Sequence, residues 1–120
     1  MKYVVVVDEE KIVEEYLEAF LRRAGFQEAS FNDRTETLDF IKINCEEIDL
    51  VIVDPTTPNM CGVRLAEELM AVVPSIPLIC FAEYPAPRAE DLSNNVKIVL
   101  QKPALRKEFI DAVETVIGVA

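Results

Sequence analysis

The sequence predicts an α/β fold in which a doubly wound, five-stranded parallel sheet is covered by helices on both faces. Five short runs of strand-forming residues alternate with segments whose apolar residues recur at helical spacing, which is typical of a parallel sheet. The central run, Leu50–Val53, has four consecutive apolar residues, as expected for a strand buried on both faces. Right-handed crossovers leave few topologies for such a sheet, and we expect the strand order 2-1-3-4-5.

The five strands are predicted at runs of β-branched and other apolar residues that end in turn-forming or charged residues. These runs are Tyr3–Val7, Phe26–Phe31, Leu50–Val53, Ile76–Phe81 and Val96–Leu100. The third run ends abruptly at Asp54, and Pro55 and Pro58 then prevent regular structure from continuing.

The intervening segments are predicted to be helices, at Lys11–Ala24, about Thr35–Glu47, about Val63–Val73, about Arg88–Leu92 and about Leu105–Ile117. The fourth is expected to be short because Pro85 and Pro87 precede it. Gly25 is expected to cap the end of the first helix, and Asp33 with Glu36 to cap the start of the second. The apolar stripes of the first and last helices contain Ile12, Val13, Tyr16, Leu17, Phe20 and Leu21, and Phe109, Ile110, Val113, Val116 and Ile117.

Composition limits the classes of function. A length of 120 residues fits one domain over residues 1–120. The formal charge of -10 argues against direct binding to nucleic acid or anionic lipid, since both require a basic surface. No apolar stretch approaches the ~18 residues of a membrane span, and the N-terminus lacks a signal-peptide pattern. The cysteines Cys45, Cys61 and Cys80 lack metal-like spacing, so reduced thiols in the cytoplasm are expected.

The sequence also lacks the residues of several kinds of catalytic site. It contains no histidine, which excludes Ser-His-Asp, Cys-His and His-metal chemistry within the chain. It contains no glycine-rich phosphate loop, which excludes the common nucleotide-binding motifs. Chemistry based on carboxylates and lysine, or binding alone, remains.

Charged residues follow three of the predicted strands. Asp8 and Glu9 follow the first, Asp54 the third and Lys102 the fifth. We expect these three strand ends to lie side by side, at the edge where open α/β sheets bind ligands. Clustered carboxylates repel one another unless a cation neutralises them, and oxygen ligands suit magnesium. The alternative is a solvated acidic rim in which Asp54 begins a turn and Lys102 forms an ordinary ion pair.

At this point the chain resembles the receiver domain of bacterial two-component response regulators. The resemblance covers essentially the full length and implies the flavodoxin-like form of the predicted fold. It rests on V-V-V-V-D-E-E at the end of the first strand, D-L-V-I-V-D-P-T-T-P-N-M-C-G around Asp54, and L-Q-K-P after the fifth strand. These motifs occur in the family's order and on the expected elements.

The resemblance implies a role for each residue of the cluster. Asp54 would accept a phosphoryl group from the phosphohistidine of a sensor histidine kinase or phosphotransfer protein. Asp8 and Glu9 would hold Mg²⁺ together with Asp54 and the backbone carbonyl of Thr56. Lys102 would contact the phosphoryl oxygens, and its bond to Pro103 would be the peptide that is usually cis in the family. The implied catalysis is limited to self-phosphorylation from phosphohistidine or small phosphodonors and slow autodephosphorylation. An output domain or target protein would receive the signal.

Four positions depart from the family pattern. One is Thr57, in the loop after Asp54, where the family commonly has Met. The acidic pair is Asp8 then Glu9, whereas the family usually has two aspartates, or Glu then Asp. Ala82 stands where the family has the Ser or Thr whose hydroxyl contacts the phosphoryl group. Val99 stands where the family usually has an aromatic residue that turns inward on activation. Both parts of the usual switch are therefore replaced.

Two hypotheses follow from these departures. In the first, Asp54 is phosphorylated and the domain signals through a different or weaker rearrangement. In the second, the chain is a pseudo-receiver, a protein-interaction module that works independently of phosphate. The retention of Asp54 and Lys102 favours the first hypothesis, because an interaction module does not need them.

Overall fold

The computed structural model describes residues 3–55 and 62–118, and of residues 62 and 63 it describes the backbone only. The strands are β1 (Tyr3–Val7), β2 (Gln27–Phe31), β3 (Ile48–Val53), β4 (Leu78–Ala82) and β5 (Val96–Gln101). The α-helices are α1 (Lys11–Arg23), α2 (Arg34–Ile43), α3 (Gly62–Val72) and α4 (Arg106–Ile117). All strand pairs are parallel and the order is β2-β1-β3-β4-β5, which confirms the predicted sheet.

Apolar side chains fill both faces of the sheet, because successive residues of a strand point to opposite sides. Helices α1 and α4 cover one face, where the largest buried residues are Leu17, Leu21, Leu50, Ile52, Ile79, Phe81 and Phe109. Helices α2 and α3 cover the other, where the buried residues include Val5, Val7, Ile41, Val51, Val53, Leu65, Leu69 and Leu78. Strand β3 is buried over most of its length, as the unbroken apolar run predicts.

The predicted caps of the first two helices are present. Gly25 follows α1 with a φ of +90°, a left-handed conformation that glycine adopts without strain. The side chain of Asp33 accepts a hydrogen bond of 2.9 Å from the backbone N–H of Glu36 at the start of α2.

Two expectations about the first two helices need correction. Helix α2 ends at Ile43, and a single 3₁₀ turn, Cys45–Glu47, occupies the rest of the predicted length. Ile43 is 81% exposed because it lies off the face that buries Ile41. In α1, Ile12 is 76% exposed, since the buried stripe follows Val13, Leu17 and Leu21 at intervals of four residues.

The fourth predicted helix, about Arg88–Leu92, is only a 3₁₀ turn at Ala89–Asp91. Residues 83–95, all of which are described, contain no α-helix and run from β4 to β5 as an irregular connection. Asn95 fixes this connection: its side-chain amide donates a hydrogen bond of 3.0 Å to the carbonyl of Ala66 in α3. Its side-chain oxygen accepts a bond of 2.6 Å from the Ser93 hydroxyl. The connection is therefore anchored to α3 by a buried amide.

In the described part of the chain, no helix has the length and apolar character needed to cross a bilayer.

Candidate functional site

The register of the sheet places two carboxylates side by side. Val7 of β1 pairs with Val53 of β3, so Asp8 and Asp54 leave the sheet next to each other. Both residues are buried, with 2% and 3% of their surface exposed. Two neighbouring buried carboxylates repel each other unless a cation lies between them.

Lys102 supplies a cation to this pair. Its Nζ lies 2.9 Å from Oδ2 of Asp8 and 2.8 Å from Oδ2 of Asp54. The lysine side chain is only 7% exposed. The structure thus brings together Asp8, Asp54 and Lys102, three of the residues that the sequence places at this site.

The expectation that the first, third and fifth strand ends lie side by side is wrong in one respect. Strand β4 lies between β3 and β5, so the backbone of Lys102 is one strand further from Asp54 than expected. The long lysine side chain crosses the end of β4, and its Nζ lies 5.6 Å from the ring centre of Phe81. Phe81 therefore helps to hold the Lys102 ammonium in place, through a cation–π contact.

Glu10 is a further residue of the site that the sequence interpretation missed. Its Oε1 lies 3.4 Å from Nζ of Lys102. Among the described residues, Asp8, Glu10 and Asp54 form a group whose carboxylate oxygens lie within 4.8 Å of one another. The run of three acidic residues after β1 was the available signal, but the spacing alone could not indicate which glutamate turns toward the lysine.

The expected ligand Glu9 is half-buried and does not belong to this group of three in the described part of the chain. Its role as a magnesium ligand stays a prediction. Thr56, whose backbone carbonyl is the other expected ligand, lies outside the described residues, as does Thr57.

Burial and hydrogen bonding have opposite effects on the pKa values of Asp8 and Lys102. Burial raises the pKa of the Asp8 carboxyl, although hydrogen bonds from the Glu10 N–H and from Lys102 oppose the shift. For Lys102, burial alone would lower the pKa, but hydrogen bonds to Asp54 and Asp8 outweigh it and raise the pKa. Lys102 is consequently a permanent cation, and three carboxylates with one ammonium leave an excess of negative charge.

This donor set fits Mg²⁺. Hard oxygen ligands from two or three carboxylates are what the ion prefers, and a divalent cation would balance the remaining charge. In a phosphoryl-transfer reaction, such an ion would neutralise charge on the transferring group.

Ala82 and Val99, which are predicted to replace the family's switch residues, lie in the neighbouring strands β4 and β5. Ala82 is the last residue of β4 and is completely buried, and its carbonyl accepts a 2.7 Å hydrogen bond from the N–H of Lys102. Val99 lies in β5, is partly buried and packs against the core cluster on the α2 and α3 face. The Lys102–Pro103 peptide bond is cis, as the resemblance implies.

Residues 4–114 match the response regulator receiver domain, and the chain belongs to this family of two-component systems. It is 33% identical over 66 residues to the regulatory protein VanRc of Enterococcus gallinarum. That match covers 55% of this chain and 28% of VanRc. The chain spans between 14% and 28% of the length of the curated relatives that it matches.

Solved structures agree with the fold. A response regulator receiver domain protein from Clostridium thermocellum superposes with a TM-score of 0.87 at 22% identity, over 98% of this chain and 95% of that one. A chain from the complex of histidine kinase ThkA with response regulator protein TrrA superposes with a TM-score of 0.81 at 25% identity. That match covers 97% of this chain and 98% of the other.

Proposed function

We propose that this receiver domain accepts a phosphoryl group on Asp54 from the phosphohistidine of a partner histidine kinase or phosphotransfer protein. In this reaction a carboxylate oxygen of Asp54 forms a bond to phosphorus as the phosphorus–nitrogen bond of phosphohistidine breaks. The observation that carries the proposal is the 2.8 Å contact between Nζ of Lys102 and the carboxylate of Asp54. It supports the proposal because phosphoryl transfer requires positioned positive charge beside the acceptor.

Mg²⁺ belongs to this proposal, held by Asp8, Glu9, Asp54 and the carbonyl of Thr56. The buried carboxylates Asp8 and Asp54 support it, because their oxygens converge on one cation already. The ThkA–TrrA complex supports a histidine kinase as the kind of partner, since that response regulator is crystallised with a kinase. An output domain or a separate target protein would receive the signal, in the cytoplasm.

A second candidate function is a pseudo-receiver, which binds a partner protein independently of phosphate. Two observations favour it. Ala82 has no hydroxyl to contact a phosphoryl group, and the β4–β5 connection is anchored to α3 by the buried Asn95. A switch needs an element with two accessible arrangements, and an anchored connection resists moving.

The first proposal is tested by intact-mass spectrometry after incubation with a small acyl phosphate donor and Mg²⁺. A gain of one phosphoryl group in the wild type, absent in Asp54→Asn, supports the phosphoacceptor. The same protein is then incubated with a phosphorylated histidine phosphotransfer protein, in case the small donor is too slow. No gain from either donor contradicts the proposal and favours the pseudo-receiver.

A further inference from the structure

We infer that Glu10 is an additional oxygen ligand of the divalent cation in this site, beyond the acidic pair and Asp54. The inference rests on the proposed function, because it concerns the Mg²⁺ of the same cluster. It assigns a role to a residue that the spacing of the sequence motif does not single out.

The first argument is the convergence of three carboxylates on one cation. The Lys102 ammonium contacts Asp8 at 2.9 Å, Asp54 at 2.8 Å and Glu10 at 3.4 Å. Oxygens from all three side chains therefore reach the same small volume beside Lys102. Because these oxygens lie within 4.8 Å of one another, a metal ion placed among them is within reach of each.

The second argument is that Glu10 is not used as a helix cap. It occupies the N-cap position of α1, where a short polar side chain usually bonds a backbone N–H of the first turn. Its side chain makes no such bond and extends toward Lys102 instead. Its own N–H donates a 2.9 Å hydrogen bond to Oδ1 of Asp8, which fixes its backbone against the buried pair.

The third argument is that the Glu10 carboxylate is accessible to solvent. Asp8 and Asp54 side chains are 3% and 2% exposed, whereas that of Glu10 is 50% exposed. Glu10 is therefore the carboxylate of the group that faces solvent, where a hydrated ion arrives. A partly exposed ligand also suits Mg²⁺, which usually keeps several of its water molecules.

The experiment measures Mn²⁺ binding by the loss of the electron paramagnetic resonance signal of the free ion, followed by competition with Mg²⁺. The proteins are the unphosphorylated wild type, Glu10→Gln, Glu10→Asp and Glu14→Gln. Glu14 is the matched control because it lies one turn further along α1, outside the group of three, and its charge also acts on Asp8. Circular dichroism checks that each variant is folded.

If Glu10 is a ligand, Glu10→Gln weakens ion binding by about tenfold or more. Glu10→Asp weakens it comparably, because the charge is kept but the side chain is one methylene shorter. Glu14→Gln changes it by less than about twofold, since that charge acts only through a screened field. Binding by Glu10→Asp at the wild-type level, or equal losses in Glu10→Gln and Glu14→Gln, overturns the inference.

The result separates this inference from the proposed function. If the wild type and the Glu10 variants bind the ion equally, only the role of Glu10 is wrong. If the folded wild type takes up no Mn²⁺ or Mg²⁺ at millimolar concentration, the inference fails together with the metal part of the proposed function. Phosphorylation of Asp54 is measured separately by mass.

Discussion

The ammonium of Lys102 lies 2.8 Å from the carboxylate of Asp54, although the two residues follow strands that are not neighbours. The lysine crosses the end of β4 and lies against Phe81, which is buried between Tyr16 and Phe109. The ring of Phe81 and two carboxylates therefore define the position of the ammonium. Such preorganisation would lower the cost of stabilising a phosphoryl group on Asp54, if that residue is the phosphoacceptor.

Removing the lysine should destabilise the fold. Lys102→Met leaves two buried carboxylates without their cation, and we expect the free energy of unfolding to fall by about 3–5 kcal/mol. Urea unfolding followed by circular dichroism measures the change. The double variant Lys102→Met with Asp54→Asn should recover much of the loss, because one of the repelling charges is then absent.

Lys107→Met is the matched control for this variant. Its ion pair with Asp111 is exposed on α4, so its loss should change stability little. Equal effects of the two lysine variants, or strictly additive effects in the double variant, would contradict the buried ion pair.

Ala82→Thr should restore a hydroxyl at the end of β4. If Asp54 is phosphorylated, we expect the phosphoryl group to be lost about fivefold more slowly, the equivalent of one hydrogen bond of about 1 kcal/mol. The decay of the phosphorylated mass measures this. Ala82→Val is the control, because it adds a similar volume at this completely buried position without a hydroxyl. Identical lifetimes in the two variants would mean that Ala82 does not face the phosphoryl group.

Glu9→Asp should tighten magnesium binding if Glu9 is a direct ligand. Aspartate is one methylene shorter and matches the family's usual residue, and Mg²⁺ tolerates little deviation from octahedral geometry. Titration calorimetry of the unphosphorylated protein with Mg²⁺ is the measurement. An affinity equal to or below that of the wild type would remove Glu9 from the ligand set.

Asn95→Ala should release the connection between β4 and β5. It removes a buried amide that bonds both α3 and Ser93, and we expect a loss of about 1–3 kcal/mol in stability. Hydrogen exchange over residues 83–95 should become faster at the same time. Asn94→Ala, one residue earlier and exposed, is the control. Unchanged exchange in Asn95→Ala would mean that other contacts hold this segment.

In alkaline solution, ionisation of the Cys80 thiol should lower the free energy of unfolding as the pH rises. Burial raises the pKa of its thiol from 9.0 to about 12. Between these values the unfolded chain releases the proton and the folded chain keeps it, so stability is lost as pH rises from about 9. Ionisation of this one thiol lowers the free energy of unfolding by up to about 1.4 kcal/mol per pH unit.

The test for Cys80 compares the free energies of unfolding of the wild type and Cys80→Ala from pH 8 to pH 11. The variant should be less stable at pH 8 because a buried group is lost, and its curve should fall less steeply above pH 9. Parallel curves would show that Cys80 ionises equally in both states.

The sheet could be predicted because the spacing of apolar residues along the sequence indicates where the strands and helices lie. The unbroken run Leu50–Val53 indicated a central strand, and the pairing of Val7 with Val53 then makes Asp8 and Asp54 neighbours. The cis bond before Pro103 agrees with the family resemblance. These features depend on strand order and register, which alternation of elements and crossover handedness largely determine.

The remaining features depend on side-chain directions that a pattern does not contain. Glu9 and Glu10 are chemically identical, and which of them turns toward Lys102 depends on α1 beginning at Lys11. The contact of Phe81 with Lys102 arises because β4 separates β3 from β5. The proline residues correctly predicted a short element after β4, but not that it would be a 3₁₀ turn.

The 3₁₀ turn also changes the kind of surface that this side of the domain offers. Strand β5 has a register shift against β4 between Val96 and Ile98. Beyond this shift the strand alternates: Val99 packs on the α2 and α3 side, and Ile98 and Leu100 pack on the other. Side chains on one face of a strand are spaced about 7 Å apart in a line. Between β4 and β5 the domain therefore presents strand residues and an irregular connection, whose spacing differs from that of side chains along a helix.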